Sequence, residues 1–371
     1  MIRDHLVKAL LHIRKSWLTL NLRRECGPND VRVKIAYCGI CGSDIHEYLD
    51  GPIFPPLPGQ KNPHTGVELP VTLGHEMSGI VGEVGSNVTN IRPGQKCTIN
   101  PSVDDRHHGL EPCRSCRAGK PNLCKRWACY GLSAPGGGLA DEIIVNVASI
   151  LLVPSSVSLK AAALAEPLAV ACHMVRISGF QKGDSVLILG AGPIGLALLL
   201  FLKAEGAGKI IISEIAELRA QKAREFGADI VINPIKDAKD GSIIHLIHEA
   251  TVDGVDVAFD ASGLQTTLDT AIAATRPGGT IFNVAIHGKL LMIQPNDITL
   301  TEKKYMGGIC YTMQDFEGVI CALESGKLPA EAMITSIVPL DNAVNGAFEE
   351  LIDNKDKHIK ILVQPAGSEQ F

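Results

Sequence analysis

Charge of one sign never accumulates in this chain. Its 371 residues carry 35 Lys and Arg against 40 Asp and Glu, a formal net charge of -5 with no long run of either sign. That excludes the basic stripe of a nucleic-acid binder and the polybasic patch of a membrane-surface protein. An uninterrupted apolar span is missing too. The most apolar stretch, Val186 to Leu202, is broken by Gly190, Gly192, Pro193 and Gly195, whereas a membrane-crossing helix needs about 20 apolar residues. The N-terminus lacks the apolar core of a secretion signal, because Asp4, Lys8, His12, Arg14 and Lys15 interrupt it. A strand-like pattern begins almost at once, which argues against a transit peptide, so the cytoplasm is the expected compartment. Internal repeats and low-complexity tracts are absent. The eleven cysteines are odd in number and follow no secretion signal, which speaks against a disulfide framework. In that setting clustered cysteines suggest a metal and scattered ones suggest packing.

What is present is the composition of an ordinary globular protein, 46% hydrophobic and 20% charged. The length favours two domains. Residues 1–167 combine short strand-like runs, such as Val31 to Ala36 and Glu142 to Val147, with long loops at 51–70 and 100–122. Loops that long in a compact domain are usually functional. From about residue 168 the pattern changes. Strands at Ser185 to Leu189, Lys209 to Ser213, Ile230 to Ile232, Val255 to Asp260 and Thr280 to Val284 alternate with helical stretches. That alternation predicts an α/β, doubly wound parallel sheet over 168–310. A helix and a terminal strand at Lys360 to Val363 follow in 311–371, a segment expected to return to the first domain.

Gly190-Ala191-Gly192-Pro193-Ile194-Gly195 fits G-x-G-x-x-G, placed after a buried strand and at the head of a helix. In that context the first glycine permits the tight turn and the second lets a pyrophosphate approach. The third allows close helix–strand packing, and the helix N-terminus attracts the phosphates. Glu214, at the end of the next strand, is placed to bind the ribose hydroxyls of NAD and repel the extra phosphate of NADP. Arg219 and Lys222 nearby leave some room for NADP. NAD is the expected cofactor.

The first domain contains Cys38-Gly39-Ile40-Cys41-Gly42-Ser43-Asp44-Ile45-His46, then Gly74-His75-Glu76, and later Ala165-Glu166-Pro167-Leu168. Thiolate, imidazole and carboxylate all suit zinc, and a catalytic zinc needs about three protein ligands and one open position. Cys41, His75 and either Glu76 or Glu166 would supply them. CGICGSDIH, LGHEMSG, AEPLAVACH and GAGPIG, in that order, resemble the zinc-containing medium-chain dehydrogenase/reductase family, over essentially the whole chain. HEYLDGPIFPP, GGGLADEIIV, NVAIHGK and CYTMQDFEGVI are most similar to its polyol branch, the sorbitol and (R,R)-butanediol dehydrogenases. The resemblance implies a GroES-like, β-rich catalytic domain joined to the dinucleotide-binding domain. It implies zinc on Cys41 and His75 with Glu76 and Glu166 as the acidic candidates, Asp44 orienting the imidazole, and Ser43 and His46 relaying a proton. It further implies hydride transfer between NAD and a secondary alcohol or vicinal diol, 2,3-butanediol/acetoin foremost, with sorbitol-, xylitol- or other alcohol-type substrates as alternatives. A non-catalytic dinucleotide-binding protein is disfavoured by Cys41, Ser43, His75 and Glu166 standing together.

Many relatives carry a structural zinc on a Cys-x2-Cys-x2-Cys-x7-Cys lobe. Here Cys113, Cys116 and Cys124 match the last three positions, and Leu110 occupies the first. A closed site needs a fourth ligand, for which His107, His108, Glu111, Cys97 and Cys129 are the nearby candidates; a metal-free lobe is the alternative. Cys172-His173, Cys310 and Cys321 read as packing residues. Tyr305 to Tyr311 resembles the edge through which family members dimerise, so a homodimer or homotetramer is expected.

Overall fold

The computed structural model describes residues 10–13, 16–19, 25–240 and 242–368. The N-terminal interruptions at Asp4, Lys8, Arg14 and Lys15 lie outside the described residues. The chain divides into two compact units. One runs to Glu166 and takes in Thr312–Ser325 and the chain from Ala330 onward, and the other comprises Pro167–Tyr311 and Gly326–Pro329.

The first unit is organised on strand Asp30–Gly39. Val31, Val33 and Ile35 are buried while Lys34 between them is exposed, the period-two alternation of a sheet with one face on a core. The strand pairs antiparallel with Glu76–Val84, Glu142–Asn146 and Lys360–Gln364. Lys96–Ile99 and Ile150–Leu152 extend the sheet on one side, and Ile334–Pro339 extends it on the other, parallel to Lys360–Gln364. This last strand was not foreseen from the sequence. Its burial alternates weakly, with Ile337 more than a third exposed. A register shift between Ile35 and Tyr37 breaks the alternation, so that Ala36 and Cys38 are both buried. Bulges of this kind re-aim side chains beside functional sites. At the end of the strand Gly39 lies opposite Glu76 on one side and Leu362 on the other.

The second unit holds six parallel strands in the order Ile230–Ile232, Lys209–Ser213, Ser185–Leu189, Val255–Asp260, Thr275–Asn283 and Lys304–Gly307. The strands are apolar on both faces, as in Val186 to Leu189, all buried, because helices cover both sides of such a sheet. Strand order reverses between Ser185–Leu189 and Val255–Asp260. That switch point is where open α/β sheets bind ligands beyond the carboxyl ends of their strands. Lys304–Gly307 forms the sheet's edge and is exposed along its length. Among the described residues, no helix is long and apolar enough to cross a membrane.

Candidate metal and nucleotide sites

Asp44 is the hub of the first unit's site. It is fully buried in the first turn of helix Gly42–Asp50. Its carboxylate accepts a hydrogen bond from the Cys41 backbone N–H at 2.9 Å and from the Gly74 N–H at 3.2 Å. One side chain therefore fixes both loops that present Cys41 and His75. Asp44 Oδ1 also lies 3.4 Å from His75 Nδ1, although that buried nitrogen has no well-aligned hydrogen bond. Ser43 Oγ is 3.2 Å from His75 Nε2, and the Cys41 thiol reaches the same ring. Burial alone would lower the His75 pKa, but Asp44 and Cys41 outweigh it and hold the imidazole well above its ordinary value. A thiol, an imidazole and a surplus of negative charge fit a divalent soft-to-borderline cation such as zinc.

The two candidate carboxylates differ. Glu166 is buried in the first turn of helix Ala165–Ile177. Glu76 opens strand Glu76–Val84, is fully buried, and has both oxygens 2.7 Å from the Lys360 ammonium. Lys360 is only 2% exposed and also donates to the Ile40 carbonyl at 3.1 Å. Burial disfavours its charge, but Glu76, with Cys41 and Glu166 farther along the same field, raises its pKa above the ordinary lysine value. Gly39 makes room for this pair, because a Cβ there would stand 2.0 Å from Glu76 Oε2. His46 is exposed on the outer side of its helix. Sequence reasoning passed over Lys360, whose signal was a lone charge heading an otherwise apolar strand.

The lobe carries the tighter cluster. The ligating atoms of Asp105, Cys113, Cys116 and Cys124 all lie within 4.8 Å of one another. The donors of Cys41, His75 and Glu166 do not all come that close. The fourth member is thus Asp105, none of the five residues proposed from sequence. Cys97 is sealed in the sheet, where burial pushes its thiol up to about 12. Cys129 is buried with its thiol on the Tyr130 carbonyl, and Glu111 is exposed. His107 is hydrogen-bonded between Asp104 and Ser149, and His108 is bonded to the Arg126 carbonyl. Asp105 accepts from the Cys113 N–H at 2.7 Å and from the Arg126 guanidinium at 2.6 Å. Burial opposes its ionisation, yet that N–H and the three thiols hold its pKa far below the usual carboxylate range.

In the second unit Gly190 has φ +99°, and a Cβ would meet Ser262 Oγ at 2.3 Å. A Cβ on Gly195 would lie 1.9 Å from the Gly190 carbonyl, whereas nothing lies within 4 Å of the Cβ position of Gly192. The loop is thus packed shut on its protein side and open where a phosphate would sit. Pro193 and Ile194 begin the 12-residue helix Pro193–Ala204. Glu214 is buried, and its carboxylate accepts from the N–H groups of Ala191 at 2.7 Å and of Ile215 and Ala216, both at 2.8 Å. It ties the glycine loop to the following turn. Arg219 is half-buried on helix Glu217–Glu225. Of the cysteines read as packing residues, Cys321 is instead exposed on the outside of helix Met313–Glu324.

Comparison with known proteins identifies two family matches along the chain. Residues 27–155 match the model of the alcohol dehydrogenase GroES-like domain, and residues 193–325 match that of zinc-binding dehydrogenases. The chain is 41% identical over 350 residues to the (R,R)-butanediol dehydrogenase of Saccharomyces cerevisiae, spanning 91% of each. It superposes on the crystal structure of 2R,3R-butanediol dehydrogenase from Bacillus subtilis with a TM-score of 0.89 and 36% identity, covering 97% of this chain and 99% of that one. A zinc-binding dehydrogenase from Sinorhizobium meliloti bound to NADP gives a TM-score of 0.85 at 29% identity, covering 98% and 100%. The chain belongs to the zinc-containing medium-chain dehydrogenase/reductase family. Within it the protein is an alcohol/polyol dehydrogenase, a GroES-like domain with a doubly wound nucleotide-binding sheet.

Proposed function

We propose that this enzyme interconverts (R,R)-2,3-butanediol and acetoin, with hydride passing between the carbinol carbon and NAD. The observation that carries the reading is the Asp44 hub, which draws the Cys41 and His75 loops together in a chain 41% identical to an (R,R)-butanediol dehydrogenase. Cys41, His75 and Glu166 would hold zinc, which when bound lowers the pKa of a substrate hydroxyl. Asp44 fixes the ring of His75. Ser43 Oγ, beside His75 Nε2, would accept the hydroxyl proton while passing its own onward. His46, one turn further along the same helix and exposed, releases it to solvent. The residues that would hold NAD are Gly190, Gly192, Pro193, Ile194 and Gly195 at the pyrophosphate, with Glu214 and Arg219 at the ribose. The fixed carboxylate of Glu214 opposes a 2′-phosphate.

The lobe of Asp105, Cys113, Cys116 and Cys124 fits a closed, structural zinc, since four donors leave no position for substrate. The exposed edge Lys304–Gly307, with Tyr305, Met306 and Ile309 more than a third exposed, supports a homodimer or homotetramer built by edge pairing. All eleven cysteines are unbridged, which supports a reducing compartment, the cytoplasm. The test is NAD reduction by purified protein with butanediol stereoisomers, sorbitol, xylitol and threonine, alongside metal analysis. Fastest turnover with (R,R)-butanediol is expected, and inactivity of zinc-loaded protein on all of them sinks the reading.

A further inference from the structure

The chain leaves the carboxyl ends of the paired strands Val255–Asp260 and Thr275–Asn283 through two loops, 261–264 and 284–288. The first is braced on the glycine loop. The Ala261 N–H and the Ser262 hydroxyl both donate to the Leu189 carbonyl, at 3.1 and 2.9 Å. Asp260 Oδ1 gathers the N–H groups of Ser262 and Gly263 and the Thr267 hydroxyl, each at 3.0 Å. The second loop starts from the same residue, because the Val284 and Ala285 N–H groups donate to the Asp260 carbonyl at 2.9 and 3.1 Å. Farther on it gains little from burial. Ile286 and Leu290 are exposed, so polar contacts must hold it. His287 supplies them. Its ring lies between two acceptors, with Nδ1 3.2 Å from the Gly263 carbonyl and Nε2 2.8 Å from Asn283 Oδ1. Asn283 Nδ2 donates in turn to the Ala285 carbonyl at 3.0 Å, which leaves Oδ1 for the ring. The two loops also touch. Gly263 has φ +71°, and a Cβ there would stand 2.9 Å from the Ala285 Cβ and 3.3 Å from His287 Nδ1.

A dinucleotide lies across the switch point of a doubly wound sheet, one half on each side. Glu214 follows Lys209–Ser213, on one side of the glycine loop, and the two loops lie on the other. With the adenosine ribose at Glu214, the nicotinamide half falls over 261–264 and 284–288. We propose that His287 is a positioning residue that latches these loops together and so keeps in place the surface on which the nicotinamide half rests. This deepens the assignment of NAD to the glycine loop and Glu214 and rests on it. A loop already fixed does not have to be ordered when the ligand binds, and the cost of that ordering would otherwise be subtracted from affinity.

The test compares NADH with ADP-ribose, which has the adenosine and both phosphates but no nicotinamide, each titrated against the purified enzyme by calorimetry. In His287→Ala the affinity for NADH should fall about tenfold, the order of one or two lost hydrogen bonds, while ADP-ribose stays at the parent value. Asn283→Ala should shift the two ligands in the same way, by less, and it carries the comparison if His287→Ala fails to fold. His287→Gln, whose amide nitrogen carries two donors, should recover part of the NADH affinity. Equal losses for NADH and ADP-ribose in His287→Ala would mean a general loosening of the unit and overturn the proposal. So would parent-like affinity for NADH in both His287→Ala and Asn283→Ala. Glu214→Ala separates the two levels, since it should weaken both ligands, which share the adenosine ribose. If it binds both as the parent does, or if the parent binds neither, the nucleotide assignment itself fails. If those controls behave while His287→Ala matches the parent, only the latch fails.

Discussion

In the second unit one continuous stretch, Leu189 to Glu214, carries the glycine loop, the helix and the acid of the proposed nucleotide site. The first unit instead joins Asp44 to His75 and Glu76 to Lys360, from three separate segments, through buried charge. The second arrangement is local and is held by backbone N–H groups on one carboxylate. The first is non-local, and its charged members are shielded from water, so each group depends on its partner. Removing one partner of a buried pair costs about 3–5 kcal/mol, whereas a hydrogen bond to backbone contributes about 1 kcal/mol. Damage should therefore be larger, and spread further, in the first unit.

The largest expected effect is that of Cys41→Ala. Turnover should fall by at least about a thousandfold and the metal content by one per chain. NADH binding, followed by nucleotide fluorescence, should change little, because the glycine loop lies in the other unit. Retained turnover would remove Cys41 from the metal. Next comes Asp105→Ala in the lobe. It strips a buried anion from Arg126 and from three thiols, and it should lower stability by about 3 kcal/mol, roughly 10 °C in melting temperature for a unit of this size. Metal content should again fall by one per chain, while turnover at room temperature drops far less than in Cys41→Ala. Equal loss of turnover in the two variants would collapse the distinction between an open site and a closed one.

The contrast between the units also explains what the sequence made legible. The nucleotide loop could be read almost residue by residue, because its chemistry is contiguous and each glycine has its own steric reason. Cys41 and His75 were legible through their motifs. The Glu76–Lys360 pair was not, since its members lie 284 residues apart in sequence. Asp105 was missed for a different reason. The spacing template pointed to Leu110, and the chain reaches the same place from an earlier loop, where the acid is drawn in by the Cys113 N–H and Arg126. The strand Ile334–Pro339 escaped notice because its partner is parallel and its exposure alternates weakly. Pattern reveals elements that are amphipathic or contiguous, and it is silent where a single long-range contact decides.

Glu214 sharpens the comparison from the other side. Its carboxylate holds three N–H groups, so Glu214→Ala removes both the charge that opposes a 2′-phosphate and the brace on Ala191. The KM for NAD should rise about tenfold, consistent with partial loss of bonds of about 1 kcal/mol each, and the preference for NAD over NADP should relax. Metal content should stay at the parent value. An unchanged ratio of kcat/KM for the two cofactors would remove Glu214 from cofactor choice.

The smallest effect belongs to Asp256, at the opposite end of the second unit's strands. Its carboxylate accepts from the Ser185 N–H at 2.8 Å, the Ser185 hydroxyl at 2.7 Å and the Arg276 guanidinium at 2.6 Å. Burial works against its charge, but these partners prevail and its pKa is lowered. A carboxyl whose folded pKa lies below its unfolded value of about 3.9 contributes stability that is complete above that value. The contribution is lost as pH falls toward the folded pKa. Asp256→Asn should therefore lower the melting temperature by a few degrees at pH 7, about 1 kcal/mol, and the gap from the parent should narrow as pH falls from about 5 to 3. A gap that holds constant over that range would show that the Asp256 charge contributes nothing. The two ends of the sheet would then differ in function alone.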